Sequence, residues 1–131
     1  MMSDKTKDEL KKKLTSDQYE ICVNKGTEAP FTGTYLKSEK EGVYKCVICN
    51  NELFSSDTKY DSGTGWPSFW EPINNNSIKS ENDQSYGMSR VEVNCHKCNS
   101  HLGHVFDDGP RPNKKRYCIN SVSLELHEKK I

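Results

Sequence analysis

The sequence predicts a mainly β protein: a small antiparallel sandwich or barrel, preceded by short N-terminal helices and pinned by a four-cysteine zinc site. Three observations predict it. Helical periodicity stops near residue 34, and short runs of β-branched and aromatic residues follow, broken by turn signals such as Asp108-Gly109-Pro110; this is the pattern of short antiparallel strands. Two Cys-x-x-Cys pairs each close one of those runs. Finally, only 32% of 131 residues are hydrophobic and the mean hydropathy is −0.92, so one domain with a thin core needs a staple.

Residues 1–5 are expected to fray. Thr6-x-x-Glu9 and Thr15-x-x-Gln18 fit the capping-box pattern and predict helices over about 7–13 and 16–23. The first has only Leu10 and Leu14 to bury among lysines, which makes it a surface decoration. Gly26 ends the second, and residues 26–33 read as a turn-rich crossing. Strands follow at 42–47, 89–95, 104–106 and 116–126, while the polar stretch 74–85 reads as a mobile surface loop.

Lys plus Arg and Asp plus Glu both number 19, so no global field favours nucleic acid or an anionic membrane. No apolar run spans a bilayer and none resembles a signal-peptide core. Asp4, Asp8 and Glu9 break the acidic-poor pattern of a transit peptide. A reducing, cytoplasmic setting is expected, in which Cys-x-x-Cys marks a metal or redox site rather than a disulfide framework.

Cys46-x-x-Cys49 and Cys95-x-x-Cys98 have the spacing that lets two thiolates converge on one ion, and together they complete a tetrahedral shell. A redox motif would need a βαβ context that is missing here. Four thiolates leave no open coordination position, so one structural Zn²⁺ is expected, with His96 facing solvent.

Three further stretches could line a pocket. Arg116-Tyr117-Cys118-Ile119-Asn120-Ser121, read as a strand, puts Arg116, Cys118 and Asn120 on one face, and a neighbouring cation favours a reactive thiolate over an inert buried thiol. His101 and His104 would face opposite sides of a regular strand unless Gly103 bends it. Brought together they would serve as acid or hydrogen-bond donor; apart, they are ordinary loop histidines. In Gly63-Thr64-Gly65-Trp66-Pro67-Ser68-Phe69-Trp70, Phe69 and Trp70 read as core, and Trp66 as a wall for a thioether-like group. Cys22, in the second helix, reads first as a buried apolar contact.

Taken together, Gly26-Thr27-Glu28, Phe31-Thr32-Gly33, both cysteine knuckles, Gly65-Trp66-Pro67-Ser68-Phe69, His101-Leu102-Gly103-His104-Val105-Phe106 and Arg116 to Ser121 resemble the methionine-R-sulfoxide reductases of the MsrB family. The resemblance implies two antiparallel β-sheets with short N-terminal helices, and a structural zinc remote from the active site. It implies a catalytic domain over 15–127, with 1–14 a flexible or helical extension and 128–131 a tail. It makes Cys118 the nucleophile, with His101, His104 and Asn120 around the sulfoxide oxygen, and Trp66, Phe106 and Arg116 binding substrate. The implied reaction reduces the R epimer of methionine sulfoxide, mainly in oxidised proteins, through a Cys118 sulfenic acid. Thioredoxin or a small thiol would restore the enzyme, acting as a monomer in protein repair under oxidative stress. Many members carry a recycling cysteine where this chain has Thr64, which leaves Cys22 as a candidate recycling thiol. The competing expectation is a non-enzymatic zinc-binding β module of similar architecture.

Overall fold

The computed structural model describes residues 4–84, 89–110 and 114–128. Two helices, α1 (Asp4–Lys13) and α2 (Ser16–Cys22), precede nine strands: β1 (Gly42–Cys46), β2 (Glu52–Ser55), β3 (Lys59–Tyr60), β4 (Ser68–Phe69), β5 (Ile78–Asp83), β6 (Arg90–Cys95), β7 (His101–Phe106), β8 (Arg116–Ile119) and β9 (Leu124–Glu128). The strands form two antiparallel sheets, of order β2-β1-β9 and β3-β4-β8-β7-β6-β5. The mainly β expectation holds.

The Thr15 capping box forms: Gln18 N donates to Thr15 Oγ1 at 3.1 Å and Thr15 N to Gln18 Oε1 at 3.0 Å. The Thr6 box does not cap α1, because that helix already starts at Asp4 and Thr6 lies inside it. Among the described side chains, helix α1 buries only Leu10, and α2 buries Ile21 and Cys22. At the other end, Glu128 is paired in β9 opposite Gly42 and is not part of a free tail.

The stretch 74–85 departs most from expectation. Ile78–Asp83 is a fully paired edge strand whose six residues run in register against β6, from Ile78↔Cys95 to Asp83↔Arg90. An edge strand needs backbone partners more than apolar side chains, and its charged residues suit an exposed edge. The proposed loop shrinks to the turn before it; Ser85 lies outside the described residues.

Tyr44, Leu53, Phe54, Phe69, Val93, Leu102, Ile119 and Leu124 fill the core between the sheets. Phe54 stacks on Phe69 with ring centroids 4.5 Å apart, and Tyr44 meets Phe69 edge-on at 5.2 Å. Aromatic surface thus supplies much of what the low aliphatic content lacks. The opposite face of the six-stranded sheet carries the polar side chains of the site.

Candidate active site and metal centre

The two cysteine knuckles are built alike. Asn50 N donates to Cys46 O and Asn99 N to Cys95 O, both at 2.9 Å, and each turn closes on an asparagine with positive φ, 64° at Asn50 and 67° at Asn99. Asparagine tolerates this left-handed backbone better than most residues. Cys46 ends β1 in one sheet and Cys95 ends β6 in the other, so the cluster links the two sheets. The sulfurs of Cys46, Cys49, Cys95 and Cys98 all lie within 4.8 Å of one another, with Cys46–Cys98 and Cys49–Cys95 both at 3.6 Å. Thiolates about 2.3 Å from a tetrahedral ion stand roughly 3.8 Å apart, so the donor set fits such a metal. His96 is exposed, as expected.

On the far side of β6, a register shift decides the chemistry. Val93 pairs with Gly103 but Asn94 pairs with His101, which leaves Leu102 as the extra residue of a bulge. The bulge resets the alternation, so His101 and His104 share a face, with ring centroids 5.6 Å apart and planes at 72°. The expectation that Gly103 bends the strand is therefore replaced. Gly103 is needed because β8 comes so close that a Cβ there would sit 2.0 Å from the Cys118 carbonyl oxygen.

Across the sheet His104 lies opposite Cys118, which lies opposite Ser68. Cys118 Sγ accepts from Arg116 Nη1 at 2.8 Å and has the hydroxyls of Thr64 and Ser68 at 3.6 and 3.7 Å. Arg116 is itself fixed by Asp108, through Nε to Oδ1 at 2.7 Å and Nη2 to Oδ2 at 3.0 Å, and its guanidinium carbon lies 4.4 Å from the centre of the Phe106 ring. This fork holds the Asp108 carboxyl below the usual carboxylate range. The guanidinium thus presents one remaining edge to the sulfur.

A cavity of about 300 Å³ opens over this sulfur, walled by Trp66, His104, Phe106, Arg116, Cys118 and Asn120, with Thr27, Thr64, Arg90 and Gly103 completing it. Trp66 Nε1 donates to Glu28 O at 3.0 Å, which pins the indole in the wall. The Asn120 amide is largely spent on backbone: Oδ1 accepts from Glu28 N and Nδ2 donates to Leu102 O, each at 3.0 Å. A wider depression of about 570 Å³ over residues 36–41 and 56–61 contains neither cysteine nor histidine.

Two expected residues stand apart. His101 is 2% exposed and lies behind the cavity wall, with Nδ1 2.7 Å from Glu92 Oε2; burial pushes its imidazole below the ordinary range, and Glu92 opposes this. Cys22 is also 2% exposed and lies against the turn that follows Asn120, 3.5 Å from Ser123 Oγ. Burial raises its thiol. Sequence reasoning missed Asp83, 2.8 Å from His104 Nε2, as well as Glu92, Arg90 and Asp108. Charged residues in a charge-rich chain give no signal before the strands are aligned.

The SelR domain family matches residues 14–128. A peptide methionine sulfoxide reductase MsrB of Methanosarcina barkeri (strain Fusaro / DSM 804) is 55% identical over 123 residues, 94% of this chain and 87% of the relative. One from Hahella chejuensis (strain KCTC 2396) is 53% identical, over 94% of this chain and 88% of its own. Among solved structures, the Mis18 'Yippee-like' domain superposes with a TM-score of 0.56 at 18% identity, over 70% of this chain and 100% of that chain; this shows a shared fold alone. No helix among the described residues is long and apolar enough to cross a membrane. Sequence identity over almost the whole chain makes this protein a member of the SelR family, the peptide methionine sulfoxide reductases of the MsrB type.

Proposed function

We propose that this oxidoreductase acts on the R epimer of methionine sulfoxide in oxidised proteins, with Cys118 as nucleophile and His104 as proton donor. One observation carries the reading: Cys118 Sγ, held 2.8 Å from Arg116 Nη1, lies opposite His104 in the floor of a cavity walled by Trp66. The thiolate attacks the sulfoxide sulfur while protonated His104 gives one proton to the oxygen. The oxygen then passes as hydroxyl from the methionine sulfur to Cys118 Sγ while the transient sulfur–sulfur bond breaks, so methionine leaves reduced and Cys118 remains as a sulfenic acid. The indole of Trp66 and the ring of Phe106 suit the substrate methyl and methylenes. Asn120 has one N–H left to offer the oxygen.

Thiol reduction of the sulfenic acid closes the cycle, with thioredoxin or a small thiol as reductant. Thr64 Oγ1, 3.6 Å from Cys118 Sγ, occupies the place from which a recycling cysteine would act. Cys22 would have to leave its burial beside Ser123 to serve instead, which favours direct attack on Cys118 by an external thiol. Peptide mapping after one equivalent of substrate without reductant separates the two routes: a Cys22–Cys118 bridge means recycling, whereas an untouched Cys22 excludes it. All six cysteines are free, which suits a reducing, cytoplasmic compartment. Four thiolates at tetrahedral spacing make Zn²⁺ the fitting metal, and metal analysis tests it.

The reaction is tested with both epimers of a methionine-sulfoxide peptide and dithiothreitol. Turnover of the R epimer alone is expected; no turnover, or turnover that survives Cys118→Ser, overturns the reading.

A further inference from the structure

Neither thiol attack nor proton donation calls for a carboxylate, yet two carboxylates are built into the site. Glu92, in β6, has a side chain only 5% exposed. Its Oε2 meets His101 Nδ1 at 2.7 Å and its Oε1 meets Lys25 Nζ at 3.3 Å. The Asn94 amide, turned with its nitrogen to the carboxylate, donates to Oε2 at 3.1 Å. Asp83, at the end of β5, places Oδ2 2.8 Å from His104 Nε2 and 3.4 Å from Arg90 Nη2. Burying a carboxylate is costly unless its oxygens are satisfied, and here the partners come from α2's exit, β6 and β7 together.

An ionised carboxylate only accepts hydrogen bonds, so it fixes which ring nitrogen carries the proton. His104 carries it on Nε2, toward Asp83, which leaves Nδ1 as the nitrogen available to the cavity. His101 carries it on Nδ1, toward Glu92, and its buried Nε2 meets no protein partner among the described residues. Two imidazolium rings 5.6 Å apart would repel each other.

We propose that Asp83 and Glu92 are positioning residues for the proton transfer: Asp83 holds His104 with Nδ1 free for the sulfoxide oxygen, and Glu92 holds His101 as a fixed brace against the His104 ring. This rests on reading His104 as the donor. Burial drives His101 toward its neutral form. The groups that face His104 are Asp83 from β5, Arg90 and Glu92 from β6, His101 on its own strand, and Arg116 and Cys118 from β8. Asp83 and Glu92 place negative charge beside the ring, and Arg90 and Arg116 place positive charge around the cavity.

The test compares Asp83→Asn, Asp83→Glu, Glu92→Gln and His104→Ala as full-length, metal-loaded enzymes. kcat for an R-sulfoxide peptide is measured against pH, and alkylation of Cys118 by iodoacetamide, which needs no proton donor, is measured alongside. Asp83→Asn should lower kcat about 10- to 100-fold with KM nearly constant, and move the alkaline limb of the kcat profile to lower pH by about one unit. Asp83→Glu should recover part of the loss. Glu92→Gln should lower kcat about ten-fold and move the same limb. Alkylation should stay within about two-fold throughout. Wild-type kcat and profile in both carboxamide variants, while His104→Ala loses 100-fold or more, would overturn the inference and leave the donor assignment standing. A His104→Ala enzyme of full activity would overturn the donor reading itself. Losses with an unmoved limb and equally slowed alkylation would mean that the carboxylates serve the fold alone.

Discussion

Replacing Gly103 by alanine tests the strand pair on which the site stands. The added methyl would lie 2.0 Å from the Cys118 carbonyl oxygen and 3.0 Å from the Ile119 Cα, where carbon and oxygen ordinarily keep about 3.3 Å. Strands β7 and β8 must therefore part by roughly 1 Å. Neither is an edge strand: β6 flanks one and β4 the other, so the strain has no easy outlet. Overpacking costs about 1–3 kcal/mol, and one lengthened ladder hydrogen bond adds about 1 kcal/mol. A loss of about 3 kcal/mol lowers the melting temperature of a domain this size by about 10 °C. The same shift separates His104 from Cys118, and a misplacement of about 1 Å costs about 100-fold in kcat/KM. Thermal melts and turnover of an R-sulfoxide peptide measure both. Gly63→Ala is the control, since Gly63 has φ +73° but nothing within 4 Å; it should cost about 1 kcal/mol and leave turnover intact. If Gly103→Ala melts with wild type and keeps kcat/KM within about three-fold, the close approach of β7 and β8 is refuted.

Three other outcomes are expected. Removing the metal with a chelator, or Cys95→Ser, should uncouple the two sheets and lower the melting temperature by more than about 10 °C, read by melts with metal analysis; an unchanged melt would remove the metal's structural role. Trp66→Ala should raise KM for the peptide about 10- to 100-fold, the value of a lost aromatic wall, measured by steady-state kinetics. Because burial holds the folded His101 imidazole below its unfolded value, the unfolded chain takes up that proton more readily. Its contribution to stability is complete above about pH 6.5 and is lost as pH falls through the folded value. Urea unfolding between pH 7.5 and about 5 should show this slope in wild type and a shallower one in His101→Gln.

What the sequence revealed depended on whether a residue announces its own geometry. Cysteine spacing did, and the four thiols meet as expected. The alternation of Arg116, Cys118 and Asn120 did too, since all three line one cavity. The edge strand Ile78–Asp83 did not: only Ile78 among its six residues is apolar, and its pairing depends on backbone groups that every residue carries. The bulge at Leu102 was hidden because a change of register belongs to two strands at once, and Gly103 drew attention for the wrong reason. Asp83 and Glu92 carried no signal of their own among 38 charged residues (19 basic and 19 acidic) until alignment of β5, β6 and β7 set them beside the histidines.

Among the described residues, the core is built from aromatic and aliphatic side chains with the knuckle cysteines Cys46 and Cys95, and holds no methionine; Met1, Met2 and Met88 lie outside the described residues. Oxidation turns a flexible apolar methionine into a polar sulfoxide that disrupts a packed interior. A reductase of methionine sulfoxide with such residues at its centre would lose its own fold under the conditions that create its substrate. With Phe69, Leu53 and Ile119 at its centre, the described part of the core offers an oxidant no thioether to attack.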